Sequence, residues 1–472
     1  MAAAQFLLKF RGLIAIPLIV KMLGTSQYGV WVQTLALVDF SSSLVGLNLY
    51  HPLVRFLAEK PAQGKSIYST LMTTTVAISL GGSALVFVFA DVISGSILGG
   101  SAYVWHIRAA AILVLCYNVR LFNFNAYRAI GRLKERSLVE LLSTFGLLCS
   151  ISVLLWQGRS LLQVFVFMAI WETTIALLLT LHISRIVGWG SFQSELLRKA
   201  LSYALPLLPA GLSIWMLDRG DRFVIGRFLG PKAVGIYSAN YAIAALLMLF
   251  QAPLQMTLLP KVSALWESNR QSALRYISVS NKFFLTFAIP SVIGLTFISG
   301  RFLSRIGNAE LGAAGGWLTF LIATGVLFWG VSVMQTHVFY GARRTVAIGV
   351  VTASTAILNL ILNLLLVPRW GVNASAFSTL VCYLLSCGVL LYLSRGIARI
   401  NFYWRHILKC IAGALAMVLV LRLMNAWTSP LFLSLITGGL AYAFSLWLLG
   451  AITPAEIETA RNFLRASPPV RS

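Results

Sequence analysis

The stretch "KMLGTSQYGVW" (residues 21–31) is repeated in altered form as "RFLGPKAVGIY" (residues 227–237). Both copies read as a basic residue, any residue, Leu-Gly, four further residues, Gly, a β-branched residue and an aromatic residue. Glycine permits a tight turn and the close approach of two helices, so each copy indicates a compact turn between helices. The return of the phrase in the second half of the chain predicts a protein built from two similar halves.

The composition places this chain in a membrane. Of its 472 residues, 58% are hydrophobic and 11% are charged, and the mean hydropathy is +0.84. Soluble domains carry about 25% charged residues, and a single soluble core stops growing near about 250–300 residues. Lipid is therefore the expected solvent for this much apolar surface.

The formal net charge of +24 would indicate a nucleic-acid partner in a soluble protein. Here the basic residues lie mostly in short segments between apolar runs, so membrane topology accounts for them and we expect no nucleic-acid partner. The five cysteines lie in or beside apolar runs, without the spacing of a metal site or a disulfide framework. We therefore predict no metal site and no cofactor.

About fourteen stretches are long and apolar enough to cross a bilayer, which takes about 20 residues as a helix. They lie near residues 5–24, 28–50, 67–91, 104–127, 137–156, 160–184, 201–226, 233–259, 278–299, 316–340, 345–367, 370–394, 407–425 and 430–452. The first stretch is the least regular, because Lys9 and Arg11 interrupt it. The sequence therefore predicts an all-α polytopic membrane protein.

The distribution of basic residues predicts how these spans are oriented. If the N-terminus is cytoplasmic, about 25 of the 37 lysines and arginines lie on the inner side and about 7 on the outer side. This asymmetry supports fourteen spans with both termini in the cytoplasm. The connections between spans are short, so we expect the function to lie within the membrane.

The repeated phrase divides the first twelve spans into two sets of six. Each copy ends the first span of a set and begins the second, which makes the sets parallel repeats related by an axis along the membrane normal. The predicted domains are residues 1–195 and residues 196–400, each a six-helix bundle. Residues 401–472 then form two extra spans and a cytoplasmic tail.

Three motifs carry a resemblance to a known family. The segment "DRFVIGRFLGPKAVGIYSANYAI" (residues 221–243) resembles the seventh-to-eighth span signature of polysaccharide flippases in the multidrug/oligosaccharidyl-lipid/polysaccharide exporter superfamily. The segment "LNLILNLLLVPRWGVNASAFST" (residues 358–379) resembles that family's pattern where spans 11 and 12 meet, and residues 21–31 resemble its first outer turn. The resemblance covers essentially the whole chain.

This resemblance implies a V-shaped fold in which two six-helix bundles enclose a central cationic cavity. It implies a flippase, not an enzyme, that carries a polyprenyl-diphosphate-linked oligosaccharide from the inner to the outer leaflet of the bacterial inner membrane by alternating access. O-antigen, exopolysaccharide, capsule and peptidoglycan precursors are all compatible cargo, and H⁺, Na⁺ and the membrane potential all stay open as the driving force. The expected partners are the lipid-linked glycan, the lipid bilayer, a polysaccharide polymerase and glycosyltransferases.

Five arginines are candidates for binding the anionic headgroup, because charges at membrane depth are costly and arginine donates two hydrogen bonds at once to a phosphate. They are Arg11, Arg55, Arg120, Arg219 and Arg222. The alternatives are snorkelling to the interface for Arg11 and an ordinary positive-inside anchor for Arg55. For Arg219 and Arg222 they are a structural ion-pair network, or an earlier end of the seventh span that leaves both residues near the outer interface.

Four acidic residues in or beside apolar runs are candidates for ion coupling or for neutralising these arginines. They are Asp39, Glu172, Asp218 and Asp221. A carboxylate inside an apolar run can bind a proton or Na⁺, and it can equally pair with a neighbouring arginine. Asp218 and Arg222 lie four residues apart, which suits an ion pair on one helical face.

Two other functions compete with the flippase. A drug or metabolite antiporter of the same superfamily would be expected to carry fewer intramembrane arginines and more carboxylates. A membrane glycosyltransferase or ligase would be expected to carry catalytic residues on sizeable outer loops, whereas the acids of the outer loops here are Asp91 and Glu310. The sequence has no Gly-x4-Gly-Lys-Ser/Thr motif, so we do not expect ATP hydrolysis.

Overall fold

The computed structural model describes residues 11–426 and 430–451, and within those ranges every regular element is helical. In chain order the helices are α1 (Arg11–Leu23), α2 (Thr25–Val45), α3 (Tyr50–Glu59), α4 (Gly64–Val88), α5 (Ala90–Ile93), α6 (Val104–Ala129), α7 (Leu133–Trp156), α8 (Leu161–Val187), α9 (Ser194–Ala204), α10 (Leu208–Trp215), α11 (Asp221–Ala244), α12 (Met248–Ser268), α13 (Arg270–Ile306), α14 (Ala309–Ala313), α15 (Gly315–Gly341), α16 (Thr345–Trp370), α17 (Val372–Arg395), α18 (Trp404–Ala426) and α19 (Leu431–Leu448). Shorter 3₁₀ or π-helical turns lie between some of them, at Pro61–Gln63, Ser94–Leu98, Ser101–Tyr103, Leu205–Leu207, Met216–Gly220 and Ala245–Leu247.

The helices match most of the predicted spans to within a few residues. Eleven helical runs in the described part of the chain are long and apolar enough to cross a membrane, and the bent pair α2 and α3 makes a twelfth. The protein is therefore an all-α, multi-pass membrane protein, as the sequence predicts. The count of fourteen and the arrangement of two bundles around a cavity stay predictions. The first predicted span begins outside the described residues, and the seventh and eighth lie in one helical run, Ser194–Ser268.

The second predicted span is bent near its end. Helices α2 and α3 meet at an angle of 48°, and between them Leu47 and Asn48 have φ values of 45° and 54°. Residues other than glycine rarely adopt this left-handed backbone conformation, and a right-handed helix cannot continue through it as a straight segment. Arg55 therefore lies on a separate short helix beyond the bend, instead of closing a straight span.

The two repeated phrases share the same break in the backbone. Gly24 has φ 90° and ψ 170°, and Gly230 at the equivalent position has φ 79° and ψ 174°. Glycine is the residue that adopts this region without strain. Pro231 also lacks the backbone N–H that a continuous helix would need at this point. The prediction of a tight glycine turn in each phrase is confirmed.

The first of two compact units comprises Met1–Ala239, Ile306–Asn308 and Asn359–Ser375. Its apolar core is built by side chains from α3, α4, α6, α8 and α9, and Tyr68 and Phe122 are fully buried in it. By packing, this unit includes the seventh predicted span, which by sequence opens the second repeat. Packing does not by itself assign repeats, so the predicted boundaries after residues 195 and 400 stay predictions.

The second compact unit comprises Asn240–Arg305, Ala309–Leu358 and Ala376–Ser472. One apolar cluster joins α12, α13, α15, α16 and α17. A second cluster joins α18 and α19, and Ile289 and Phe297 of α13 pack against it. The two C-terminal helices are therefore anchored on the middle of α13.

Candidate functional site

A π-helical turn, Met216–Gly220, interrupts the seventh predicted span within the first unit. It contains Asp218 and Arg219, and Asp221 and Arg222 follow directly at the start of α11. A π-helical turn inserts an extra residue into a helix, which redirects the side chains around it, and such turns are frequent at functional sites. Four of the nine predicted site residues are thus held at one point of one membrane helix.

Arg219 joins this turn to α2. Its guanidinium donates to the carboxylate of Asp39, which lies 180 residues earlier in the chain, and its Nε lies 3.4 Å from Asp218 Oδ2. The side chain of Arg219 is 33% exposed and that of Asp39 is 26% exposed. The structure therefore brings a fifth predicted residue into the cluster, in an ion pair that keeps accessible surface.

Arg222 lies in the buried part of the same cluster. Its Nη1 donates to Asp221 Oδ1 at 3.0 Å and to the backbone carbonyl of Asp218, and the hydroxyl of Tyr237 donates to Asp221 Oδ2 at 2.5 Å. The exposed fractions of the Arg222 and Asp221 side chains are 8% and 1%. Buried charges are tolerated when they are paired and hydrogen-bonded, and this pair meets both conditions.

Gln33 connects α2 to the backbone around the cluster. Its Nε2 donates to the carbonyl oxygens of Ile97 at 3.0 Å and of Arg222 at 3.3 Å. The side chain is almost fully buried and lies so close to Gly226 that a Cβ at that glycine would overlap it. Gln33 therefore fixes the separation of α2 and α11 one turn beyond the ion pairs.

The two copies of the repeated phrase contact each other. A Cβ added to Gly29 would overlap the backbone carbonyl of Pro231 and lie 3.1 Å from the Gly235 nitrogen. A Cβ added to Gly235 would overlap the carbonyl of Thr25 and lie 3.3 Å from the Gly29 nitrogen. The contact is reciprocal between equivalent glycines, and it brings the backbones of α2 and α11 into direct contact. We call the interface between these two helices the seam; it continues from this contact to Asp39 and Arg219.

A second ion pair links α6 and α8. Arg120 Nη1 donates to Glu172 Oε1 at 3.0 Å, and both side chains are mostly buried. One turn earlier, the thiol of Cys116 and the hydroxyl of Thr173 are 3.1 Å apart. Two more of the predicted residues are therefore partners of each other, as the neutralising alternative for Glu172 expects.

The remaining predicted arginines lie elsewhere. Arg55 is exposed on α3, where its Nε donates to Glu59 at 2.7 Å and its guanidinium lies 5.1 Å from the Tyr203 ring. The backbone of Arg11 begins α1, but its side chain lies outside the described residues, as does all of Lys9. The roles assigned to the nine residues from the sequence stay predictions.

The structure adds Gln33, Tyr237 and the glycine pair to the residues expected from the sequence. Tyr237 is the last, aromatic residue of the second copy of the phrase. The repeat therefore singles out this position, but it does not predict the hydrogen bond from Tyr237 to Asp221. Gln33 is an isolated amide in an apolar run four residues after Gly29. Polar side chains inside membrane helices commonly mark a helix contact, and this is the signal that would have found it.

An all-helical, multi-pass chain with an ion-paired cluster inside one of its spans has the features of a membrane transporter. The chain belongs to the polysaccharide biosynthesis protein family, whose model matches residues 1–266, and the model described as lipid II flippase MurJ matches residues 189–447. The resemblance to the flippases of the multidrug/oligosaccharidyl-lipid/polysaccharide exporter superfamily is thereby confirmed.

Relatives and solved structures agree with this family. A Haloferax volcanii protein named "Probable low-salt glycan biosynthesis flippase Agl15" is 23% identical over 404 residues, which cover 84% of this chain and 83% of that protein. The inward closed structure of lipid II flippase MurJ covers 98% of this chain and 99% of its own, with a TM-score of 0.73 and 15% identity. The match to an inward-facing multidrug transporter of the MATE family covers 82% of this chain and 94% of the transporter, with a TM-score of 0.62 and 12% identity. At these identities the two structures show a shared fold.

Proposed function

We propose that this protein moves a polyprenyl-diphosphate-linked oligosaccharide from the inner to the outer leaflet of a bacterial inner membrane by alternating access. Family membership supports a lipid-linked glycan as cargo, and the flippase named Agl15 supports the same class. The observation that carries the proposal in this chain is the accessible Asp39–Arg219 pair, which joins two predicted membrane spans. It offers a cation where hydrocarbon would otherwise exclude a diphosphate.

The chemistry of the cargo explains why such a pair would be retained. A diphosphate-linked sugar is anionic and strongly hydrated, so its transfer through hydrocarbon alone is very unfavourable. In our proposal Arg219 exchanges the Asp39 carboxylate for a phosphate oxygen, since its planar fork fits either partner. The carboxylate takes the arginine back when the cargo leaves, so no unpaired cation has to remain in the membrane.

The other predicted residues take different roles in this proposal. Arg222 and Asp221 are too buried to reach a large headgroup, so we assign them to positioning the π-helical turn that presents Arg219. Arg120 contributes to the wall of the pathway through its pair with Glu172. Arg55, exposed on its short helix, is placed for a first contact with the headgroup, and Arg11 keeps its assignment as a substrate contact.

The proposed protein is a transporter and not an enzyme. Both of its termini lie in the cytoplasm, as the distribution of basic residues predicts. The acids Asp39, Glu172, Asp218 and Asp221 are the candidate sites for coupling to H⁺ or Na⁺. Glycosyltransferases would supply its cargo and a polysaccharide polymerase would consume it.

The test is outward movement of cargo by the purified protein in vesicles. A lipid-linked oligosaccharide would be placed on the uptake side, and its arrival on the other side read by a glycosidase that cannot cross the bilayer. We expect Arg219→Ala to slow translocation by about 10–100-fold, the loss of one charge-assisted contact of about 1.5–3 kcal/mol. The matched control is Arg159→Ala, because Arg159 is exposed in a loop.

The outcomes of this assay separate the possibilities. Normal translocation by a correctly inserted Arg219→Ala variant would remove Arg219 from the cargo pathway. A failure of the unaltered protein to move any lipid-linked oligosaccharide, together with export of an organic cation, would instead favour a drug antiporter. The fold shared with the multidrug transporter makes that second function worth measuring in the same vesicles.

A further inference from the structure

The segment between α17 and α18 is not helical, but hydrogen bonds hold it against α13. Residues 396–403 cross between the end of α17 and the start of α18. The backbone N–H of Asn401 donates to Ser278 Oγ at 3.1 Å, and the Arg270 guanidinium donates to the carbonyl of Ile397. These contacts come from α13 and hold the segment in one position, unlike a loose loop.

The apolar residues of this segment are turned inward. Ile397, Ala398 and Ile400 pack against the buried cluster that contains Ile277 and Val338. The ring of Tyr403 lies 5.2 Å from Lys282 Nζ, and Tyr403 has a φ of 49°, which turns the backbone sharply into α18. Inward packing of these residues leaves the basic residues of the same stretch at the surface.

Three arginines in or beside this segment are exposed at the surface. Arg395 ends α17, Arg399 lies within the segment and Arg405 is in the first turn of α18, and all three are exposed. None of the three has a side-chain hydrogen bond or ion pair to any residue in the ranges 11–426 and 430–451. Glu267, in the last turn of α12, already accepts a bond of 2.6 Å from Arg343. The arginines therefore present donors that the described part of the chain does not use.

The aromatic residues beside these arginines favour a position of this surface at the level of lipid headgroups. Trp404 is 68% exposed and stacks on Phe402 with ring centroids 5.7 Å apart, and Tyr392, three residues before Arg395, is 73% exposed. Tryptophan and tyrosine favour the boundary between hydrocarbon and water. A cationic surface at that depth meets headgroup phosphates before it meets solutes in bulk water.

We propose that Arg395, Arg399 and Arg405 form a binding site for the phosphate of an anionic phospholipid. Each arginine adds electrostatic attraction to a negatively charged leaflet, and its fork can bond two phosphate oxygens. Because the segment is held in place before the lipid binds, little ordering entropy is lost on binding. The proposed ligand belongs to the surrounding bilayer, and this proposal does not rest on the cargo proposed for Arg219.

The experiment measures lipid retained by the full-length protein in detergent, using native mass spectrometry. The probes are phosphatidylglycerol, phosphatidylcholine and inorganic phosphate. We expect phosphatidylglycerol to bind, and binding to weaken by at least about tenfold in the triple variant Arg395→Ala, Arg399→Ala and Arg405→Ala, because each arginine adds attraction to the anionic headgroup. The matched control is the triple variant Lys60→Ala, Lys134→Ala and Arg198→Ala, which removes the same charge from exposed positions of the first unit.

Each further outcome decides the proposal. Retained phosphatidylglycerol binding in the control, with loss in the arginine variant, supports a local site. Equal weakening in both variants would overturn it in favour of diffuse attraction by net charge. Displacement of the lipid by millimolar inorganic phosphate would also overturn it, by indicating a site for soluble anions. If the alanine variant is poorly folded, replacing all three arginines with lysine keeps the charge and removes the fork, and unchanged binding would then contradict bidentate recognition.

Discussion

At the residue scale, burial distinguishes Arg219, in the π-helical turn, from Arg222, just after it. Arg222 is almost fully enclosed with Asp221, whereas Arg219 and Asp39 keep about a third and a quarter of their side-chain surface accessible. Removing one partner of a buried ion pair leaves an uncompensated charge, which costs about 3–5 kcal/mol, while accessible pairs contribute about 0–1 kcal/mol. Replacing either of these two arginines, three residues apart, should therefore have different consequences for stability.

We expect Arg222→Met to lower the free energy of unfolding by about 3–5 kcal/mol, because it leaves the Asp221 carboxylate buried without this cation. Arg219→Met should lower it by about 1 kcal/mol or less. Chemical denaturation of both purified variants in the same detergent measures the difference. Equal destabilisation by the two substitutions would contradict the assignment of Arg222 to structure and of Arg219 to cargo.

At the element scale, the contact of α2 with α11 depends on the repeated phrase. Gly29 and Gly235 bring the two backbones together, Gln33 bonds across the seam, and Asp39 and Arg219 continue it. Helices in lipid gain little from the hydrophobic effect against each other, so close packing of small residues and hydrogen bonds supply the association. The two copies of the phrase therefore supply the two sides of one contact.

Gly29→Ala and Gly235→Ala should each destabilise the seam by about 1–3 kcal/mol, since the added methyl group would overlap backbone atoms that cannot move aside. Gly81→Ala is the control, because Gly81 lies in helix α4 with open space around the added carbon. Thermal unfolding in detergent should show a lower midpoint for the first two variants and an unchanged or slightly higher one for the control. An unfolding midpoint unchanged by Gly29→Ala would show that the backbones of the two phrases are not in direct contact.

At the scale of the whole molecule, the chain is a multi-pass membrane protein whose basic residues are predicted to favour the cytoplasmic side. The two ends of α7 illustrate the predicted orientation, since Lys134 lies at the end assigned to the cytoplasm and Gln157 follows the end assigned to the outside. Both positions are exposed. The orientation is thus open to a direct chemical test on one helix.

In a background with the exposed Cys149 replaced by serine, Gln157→Cys should react in intact cells with a maleimide that cannot cross the membrane. Lys134→Cys should react only after the cells are opened, because positive loops stay in the cytoplasm. Labelling is read on the purified protein by mass. The reverse pattern would invert the predicted topology and with it the proposed direction of transport.

The sequence by itself determined the membrane class, the helical architecture, the glycine turns and the family, because hydropathy, helix length and backbone conformation are properties of neighbouring residues. It also selected the charged residues of the seventh span. Only the tertiary structure decided which of them are partners. Asp39 and Arg219 are 180 residues apart, and no local pattern indicates that they meet. Packing between helices that are distant in the sequence also determines the π-helical turn, the bend between α2 and α3, and the burial of Arg222. The hydrophobic periodicity of a single helix contains no information about such packing.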